Sequence, residues 1–338
     1  MQVEGGRLLS HIGQPVPLFS GKEWRYLTPV VEIKKNTPVV EIKKNIRKSM
    51  PLYLMFLLPF TYFVIFHYAP MVGNLMAFED YSIVKGFFHS QWAGTKYFRQ
   101  FLTDPYFWQV VRNTVLINLY SLIFYFPSSL VFALLLNELQ LKMFKKFIQS
   151  VTYVPHFLST VVVVGMLVNF LSIDGLINEV IKLFGGEAKT FMSMPQWFRT
   201  IYVGSEIWQG IGWNSIIYLA ALTSIDPQLY EAATMDGANR WRKLLHITLP
   251  GISTVVTIML LLTVGKMLSV GFEKILLLYS GPTYETADVI QTFVYRRGLI
   301  DSDFSFAAAV GIFQSLLAFA LVISANQIAK KINGSRLF

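Results

Sequence analysis

Residues 226–250 read Asp226-Pro227-Gln228-Leu229-Tyr230-Glu231-Ala232-Ala233-Thr234-Met235-Asp236-Gly237-Ala238-Asn239-Arg240-Trp241-Arg242-Lys243-Leu244-Leu245-His246-Ile247-Thr248-Leu249-Pro250, and this stretch decides the fold. Asp226 is suited to cap a helix whose first position is Pro227, where the missing proline N–H would have no intrahelical partner anyway. Gly237, directly after Asp236, suits a C-terminal turn of positive φ. A second helix is expected to restart at Ala238 and run on through Pro250. The stretch therefore predicts a helix-turn-helix. Small side chains at Ala232, Ala233 and Ala238 keep the turn slim, giving a rigid elbow that fits a groove on another protein.

Outward from the elbow the sequence turns apolar. Hydrophobic residues make up 54% of the 338 positions and charged residues 14%, and the mean hydropathy of +0.48 does not fit a water-soluble fold. Crossing roughly 30 Å of hydrocarbon takes about 20 apolar helical residues. Six long windows free of Lys, Arg, Asp and Glu meet that demand: Met50–Phe78, Asn113–Asn137, Phe147–Ile173, Ile207–Ile225, Leu244–Gly265 and Phe304–Ala329. The run Ile275–Tyr284, broken by Gly281-Pro282, is too short to span and reads as a loop or interfacial segment. The expected class is an all-α membrane protein of about six transmembrane helices, with a tail over 1–49 and a membrane domain over 50–335.

The net charge of +9 sits at the edges of apolar runs, which marks topology and not a nucleic-acid partner. Lys34, Lys35, Lys43, Lys44, Arg47 and Lys48 precede the first window, Lys142, Lys145 and Lys146 lie between the second and third, and Lys330, Lys331 and Arg336 end the chain. By the positive-inside rule both termini and the elbow, with Arg240, Arg242 and Lys243, are cytoplasmic. The segments 79–112, 174–206 and 266–303 then face outward. Their aromatics, among them Phe87, Phe88, Trp92, Tyr97, Phe98, Phe101, Tyr106, Phe107, Trp108, Trp197 and Phe198, read as an interfacial belt or as a docking surface. Residues 1–50 hold no signal-peptide core. They do contain TPVVEIKKN twice in tandem, at 28–36 and 37–45, too few copies for a solenoid and more in keeping with a recent duplication.

Several chemistries lose their residues. There is no cysteine for disulfides, thiolate catalysis or thiolate metal sites. His11, His67, His89, His156 and His246 show no metal-ligand spacing, so no metal site is expected. Carboxylates are scattered and give no clustered site for a membrane-embedded transferase. A stand-alone ion-coupled transporter is the alternative transport reading; it calls for buried acidic relays and broken helices, and the six windows contain no Asp or Glu. Gly265-Lys266 is followed by Met267 and has no glycine five residues before the lysine, so no phosphate-binding loop is present.

EAATMDGANRWRKLLHITLP, residues 231–250, resembles the EAA loop of ABC-importer permeases, whose pattern is E-A-A, three residues, G, and an apolar-x-L-P ending. Glu231, Ala232, Ala233, Asp236, Gly237, Ala238, Ile247, Leu249 and Pro250 match. Leu244-Leu245 stand where many members place an aromatic. Tyr153-Val154-Pro155-His156-Phe157-Leu158-Ser159 and Ile207-Trp208-Gln209-Gly210-Ile211-Gly212-Trp213-Asn214 are similar to the carbohydrate-uptake branch, the LplB-type permeases of oligosaccharide systems. The likeness covers about residues 50–335. It implies a type I importer permease with a cytoplasmic coupling helix, in the bacterial inner membrane. It further implies a second homologous permease, two ATP-binding subunits that hold ATP and Mg, and an extracytoplasmic solute-binding protein. No cofactor is implied in this chain, and the ATPase coupling residues are expected to be Glu231, Ala232, Ala233, Asp236, Gly237 and Ala238, with Glu231 pairing with a basic residue of the ATPase.

Ionisable groups at membrane depth cost roughly 2.5–3.5 kcal/mol at a span centre and commonly face a cavity or a partner. Lys266, at the end of the fifth window, either snorkels to the headgroups or lines the passage. In the passage it would favour an acidic sugar such as a uronate. Asn169, Trp213, Asn214 and Gln314 are placed to hydrogen-bond or stack on sugar rings, or to join neighbouring helices.

Overall fold

The computed structural model describes residues 49–266 and 271–333, less the side chains at 266, 325 and 328–333. The tail with its tandem repeat, the Lys266 side chain and the basic groups of Lys330, Lys331 and Arg336 lie outside the described residues. The chain divides into two compact units, Met1–Ala69 and Pro70–Phe338. In the first, helix α1 (Met50–Phe63) continues through a wide π-turn, Val64–Tyr68. None of its side chains is buried, and a helix apolar all round belongs in lipid or against another polypeptide.

The second unit is helical apart from one short hairpin, β1 (Glu79–Asp80) paired antiparallel with β2 (Gln91–Trp92). Its helices are α2 (Lys96–Leu102), α3 (Phe107–Tyr120), α4 (Phe126–Glu138), α5 (Lys142–Tyr153), α6 (Thr160–Phe170), α7 (Leu176–Leu183) and α8 (Pro195–Thr223), followed by α9 (Pro227–Met235), α10 (Arg240–Lys243), α11 (Leu249–Lys266), α12 (Phe272–Leu278), α13 (Tyr284–Ala287), α14 (Ile290–Tyr295) and α15 (Phe304–Asn333). Among the described residues four stretches are long and apolar enough to cross a membrane, Met50–Phe78, Phe107–Glu138, Arg240–Gly265 and Phe304–Ser324, and a bent pair of helices, Lys142–Phe157 with Thr160–Phe170, makes a fifth if it counts as one span.

The third expected span, Phe147–Ile173, is not straight. Lys142–Phe157 and Thr160–Phe170 meet at a bend of 103°. The cause is local: Pro155 opens a 3-10 turn, Leu158 is extended, and the Ser159 side chain caps α6 by accepting from the Val162 N–H at 3.3 Å. The fourth also differs from expectation, because α8 begins at Pro195 and not at Ile207. At 29 residues it is roughly 43 Å long, with Pro195 at its first turn. Residues 195–206, expected to be loop, are helix.

Three π-turns share one cause. Val64–Tyr68, Ser121–Tyr125 and Leu244–Thr248 each end two residues before a proline, Pro70, Pro127 and Pro250. A helical proline lacks an N–H and its ring crowds the carbonyl four residues back. Widening that turn relieves the clash without ending the helix.

Core packing places α8 at the centre of the second unit. Tyr218 and Leu222 pack with Ala133 of α4 and Ile252 of α11, while Phe198, Tyr202 and Val203 pack with Ile117, Val164, Ile275 and Leu278. Ile275 and Leu278 thus belong to a buried helix, although their run reads as loop or interface. Gly212 lets α8 approach α5 so closely that a Cβ there would collide with the Thr152 carbonyl.

Of the aromatics expected to face outward, Phe101, Phe107 and Phe198 depart from the belt and docking readings. Phe101, Phe107, Phe293 and Phe306 form a buried cluster with Val110, Ile290 and Val310. Phe198 is buried as well, while Phe88 and Trp92 are exposed. Beside this cluster the Arg296 guanidinium makes two bonds to Asp288, Nη1 to Oδ1 at 2.8 Å and Nη2 to Oδ2 at 2.5 Å, and Thr292 Oγ1 adds a third at 2.7 Å. Those bonds hold Arg296 above its ordinary pKa. Asp288 is 2% exposed and Arg296 24%, so Asp288→Asn is expected to cost about 1–3 kcal/mol by leaving a half-buried guanidinium without its carboxylate. Thermal unfolding of the purified protein checks this; an unchanged midpoint would contradict it. At the hairpin, Lys96 and Tyr97 both donate to Asp80 Oδ1, at 2.7 and 2.6 Å, and hold its carboxyl below the usual value.

Candidate functional site

The elbow has the local structure that its residues dictate. Asp226 accepts from the Gln228 N–H at 2.9 Å and Pro227 opens α9. Gly237 adopts φ +73°. The Ala238 N–H donates to the Ala233 carbonyl at 2.8 Å and the Gly237 N–H to the Thr234 carbonyl at 3.0 Å, the paired bonds of a Schellman ending. Asn239 caps the restarted helix by accepting from the Arg242 N–H at 2.9 Å.

Two contacts brace the elbow. Lys243 Nζ donates to Thr234 Oγ1 at 2.8 Å, and the Tyr230 hydroxyl meets Thr248 Oγ1 at 3.0 Å. The outside of the elbow is open: Glu231, Ala232, Asp236 and Gly237 are exposed, as are Met235 at 89% and Trp241 at 71%, while Ala233 and Ala238 are partly buried. On its inner side a cavity of about 360 Å³ is lined by Ala233, Ala238, Arg242, Lys243, His246 and Ile247. An apolar tip flanked by charges, fixed by short bonds, suits docking into another protein.

Among the described residues considered for the solute, the contacts are separate ones. Asn169 is exposed near the end of α6. Trp213 stacks on His156, with centroids 4.6 Å apart and planes at 4°. Asn214 Nδ2 donates to the Tyr125 hydroxyl at 2.6 Å, joining α8 to the π-turn between α3 and α4. Gln314 is partly buried in α15 and has an interaction partner.

A polar cluster that the sequence reading missed crosses α8. Glu206, one residue outside the fourth window, accepts from Ser121 Oγ at 2.7 Å and from the Tyr202 hydroxyl at 3.0 Å. Lys274, 8% exposed, donates to Gln209 Oε1 at 2.9 Å, and Gln209 Nε2 donates to the Leu158 carbonyl at 3.2 Å. Gln209 thereby satisfies a backbone carbonyl freed by the α5–α6 break. The six windows hold no acid, and the structure adds one just beside the fourth: Glu206 lies inside α8, retained by hydroxyl donors from two elements.

A second cavity, of about 460 Å³, lies against α8 at the end away from the elbow, lined by Tyr120, Phe124, Gln196, Arg199, Thr200 and Gly204 among others. Neither Arg199 nor the two aromatics stood out in the sequence. The signal was Pro195, a helix-start residue that extends α8 over Gln196, Arg199 and Thr200.

Several helices long and apolar enough to cross a membrane, together with an open helix-turn-helix that leads into one of them, fit the membrane subunit of a transporter. The chain belongs to the family of binding-protein-dependent transport system inner membrane components, whose profile matches residues 129–334. It is 45% identical over 281 residues to the polygalacturonan/rhamnogalacturonan transport system permease protein YteP of Bacillus subtilis (strain 168), covering 83% of this chain and 88% of that one. It is 41% identical to protein LplB of the same organism, over 87% of this chain and 92% of the relative. Among solved structures it is similar to a bacterial ABC transporter involved in the import of the acidic polysaccharide alginate. There the identity is 40% and the TM-score 0.81, over 87% of this chain and 99% of the other. The chain is likewise similar, with a TM-score of 0.80, to a bacterial alginate ABC transporter in complex with an alginate pentasaccharide-bound periplasmic protein. The chain is thus the permease subunit of an ABC importer, a component of the inner membrane.

Proposed function

We propose that this permease moves an acidic oligosaccharide, such as a uronate oligomer, into the cell, driven by ATP that two partner subunits bind with Mg and hydrolyse. The observation that carries the coupling is the elbow: a turn locked by Gly237 and braced by Lys243–Thr234 and Tyr230–Thr248, with Glu231, Met235 and Trp241 open to a partner. Glu231 pairs with a basic group of the ATPase, and closure of the ATPase pair rocks the spans between inward-open and outward-open. The elbow and both termini are cytoplasmic, and a second permease completes the passage. An extracytoplasmic binding protein delivers the sugar, as the alginate complex with its loaded periplasmic protein does. The acidic character is supported by relatives named for polygalacturonan/rhamnogalacturonan and for alginate, which share carboxylate-bearing sugar rings.

Glu206 and the broken α5–α6 pair are features that a stand-alone ion-coupled carrier would also use. Their hydrogen bonds tie them to fixed partners, which favours the ATP-driven reading. Uptake of an oligogalacturonide by vesicles separates the two. ATP-dependent accumulation that needs the ATPase subunits is expected; accumulation driven by an ion gradient in their absence would overturn the proposal.

A further inference from the structure

The cavity at the far end of α8 has two chemically different walls. One carries Tyr120 and Phe124, ring centroids 6.2 Å apart; the other carries Gln196, Arg199 and Thr200. A sugar ring has an apolar C–H face and a polar rim, so it needs a flat apolar surface opposed by hydrogen-bonding groups. The cavity's 460 Å³ lies within the roughly 300–1,000 Å³ of small-molecule sites.

Arg199 is held from behind. Its Nη2 donates to Asn113 Oδ1 at 2.9 Å, and Asn113 is itself fixed by donating to the Glu285 and Asp288 carbonyls, each at 3.0 Å. Holding Asn113 takes one of five N–H donors. Nε, shielded from solvent, has no acceptor among the described residues. No ion pair of the described residues uses Arg199; the three present join Lys96–Asp80, Arg296–Asp288 and Arg297–Asp303. The Tyr120 hydroxyl reaches the guanidinium across the cavity, and Arg112 and Glu285, one of each sign, act on it from nearby. Glu206, the acid of α8, is turned to Ser121 and Tyr202. A half-buried guanidinium without a carboxylate partner is costly, and its planar fork fits a carboxylate through two parallel bonds.

We propose that Arg199 binds the substrate's carboxylate in the passage, while Phe124 and Tyr120 form the platform on which the sugar ring stacks. This rests on the acidic-oligosaccharide reading above and adds the residues that make the distinction. Gln196 and Thr200, one turn apart on the same face, hydrogen-bond the ring hydroxyls.

The test is equilibrium binding to the assembled transporter, this chain with its second permease and ATPase subunits, in lipid nanodiscs. The probes are a galacturonate trisaccharide and its carboxyl-reduced neutral counterpart. The wild type is expected to bind the acidic probe about tenfold more tightly. Arg199→Gln is expected to bring the two Kd values together, with neutral binding changed by less than about twofold. Phe124→Ala, at an exposed position that folding tolerates, weakens both probes and keeps their ratio. Where Arg199→Gln does not assemble, Arg199→Lys keeps the charge, loses the fork, and is expected to give an intermediate ratio. An undiminished acidic preference in the Arg199 variants overturns the assignment of Arg199 alone. A wild type with no acidic preference overturns the acidic reading itself, before any variant is made.

Discussion

Replacing Gly237 by proline is expected to abolish solute-stimulated ATP hydrolysis while the transporter remains assembled in the membrane. Gly237 holds φ +73°, and proline is confined to about −65°. The substitution also removes the N–H that donates to the Thr234 carbonyl at 3.0 Å. With the turn open, the Lys243–Thr234 and Tyr230–Thr248 braces lose their alignment, and Arg240–Lys243 no longer stands at a fixed angle to α9. Effects of about tenfold or more on stimulation are expected, since a displacement of about 1 Å can cost a hundredfold where geometry is transmitted. Gly237→Ala is milder, because placing Ala in the left-handed region costs about 1–2 kcal/mol but keeps the hydrogen bond. ATPase assays on proteoliposomes, with subunit recovery by co-purification, test both variants. Full stimulation in the proline variant would remove the elbow from the coupling mechanism.

Gly212→Leu has the second large expected effect, on folding and not on coupling. A Cβ at Gly212 meets the Thr152 backbone carbonyl, which belongs to α5 and cannot swing aside as a side-chain tip can. Overpacking a core typically costs about 1–3 kcal/mol, and a backbone collision between two helices lies at or beyond the top of that range. It would also pull apart the His156–Trp213 stack and the Asn214–Tyr125 bond, which tie α8 to neighbouring segments. The variant should yield little monodisperse protein in size-exclusion chromatography. Gly165→Ala, where a Cβ meets nothing within 4 Å, should behave as wild type. Equal recovery of Gly212→Leu would show that α5 and α8 are free to separate.

The contrast between these glycines shows what could be read in the chain. The turn at Gly237 was legible because Asp226, Pro227 and Gly237 each follow backbone rules that act within a few residues. The contact at Gly212 was not, because Thr152 is 60 positions away and only the folded helices bring it close. Apolar windows located the spans but carry no direction, so Phe147–Ile173 read as one segment although Pro155 and Ser159 turn the chain between α5 and α6. The ban on charges that defined the windows also ended the fourth at Ile207. It thereby excluded Glu206 and Arg199, which the helix retains because Ser121, Tyr202 and Asn113 supply hydrogen bonds from elsewhere. The α8 wall of the proposed sugar-binding cavity lay in the part that this rule discarded, while Tyr120 and Phe124 lay inside the second window.

The elbow and the span that follows it are mechanically one piece. Arg240–Gly265 forms a 26-residue segment whose widened turn at Leu244–Thr248 absorbs Pro250, at roughly 39 Å in length. Such a lever amplifies: pivoting by roughly 10° at the motor's end would sweep its far tip through about 7 Å for a rod of this rise per residue. On the proposed coupling, a small movement of the ATPase pair would be enough to open or shut a gap as wide as a sugar ring on the opposite side of the membrane.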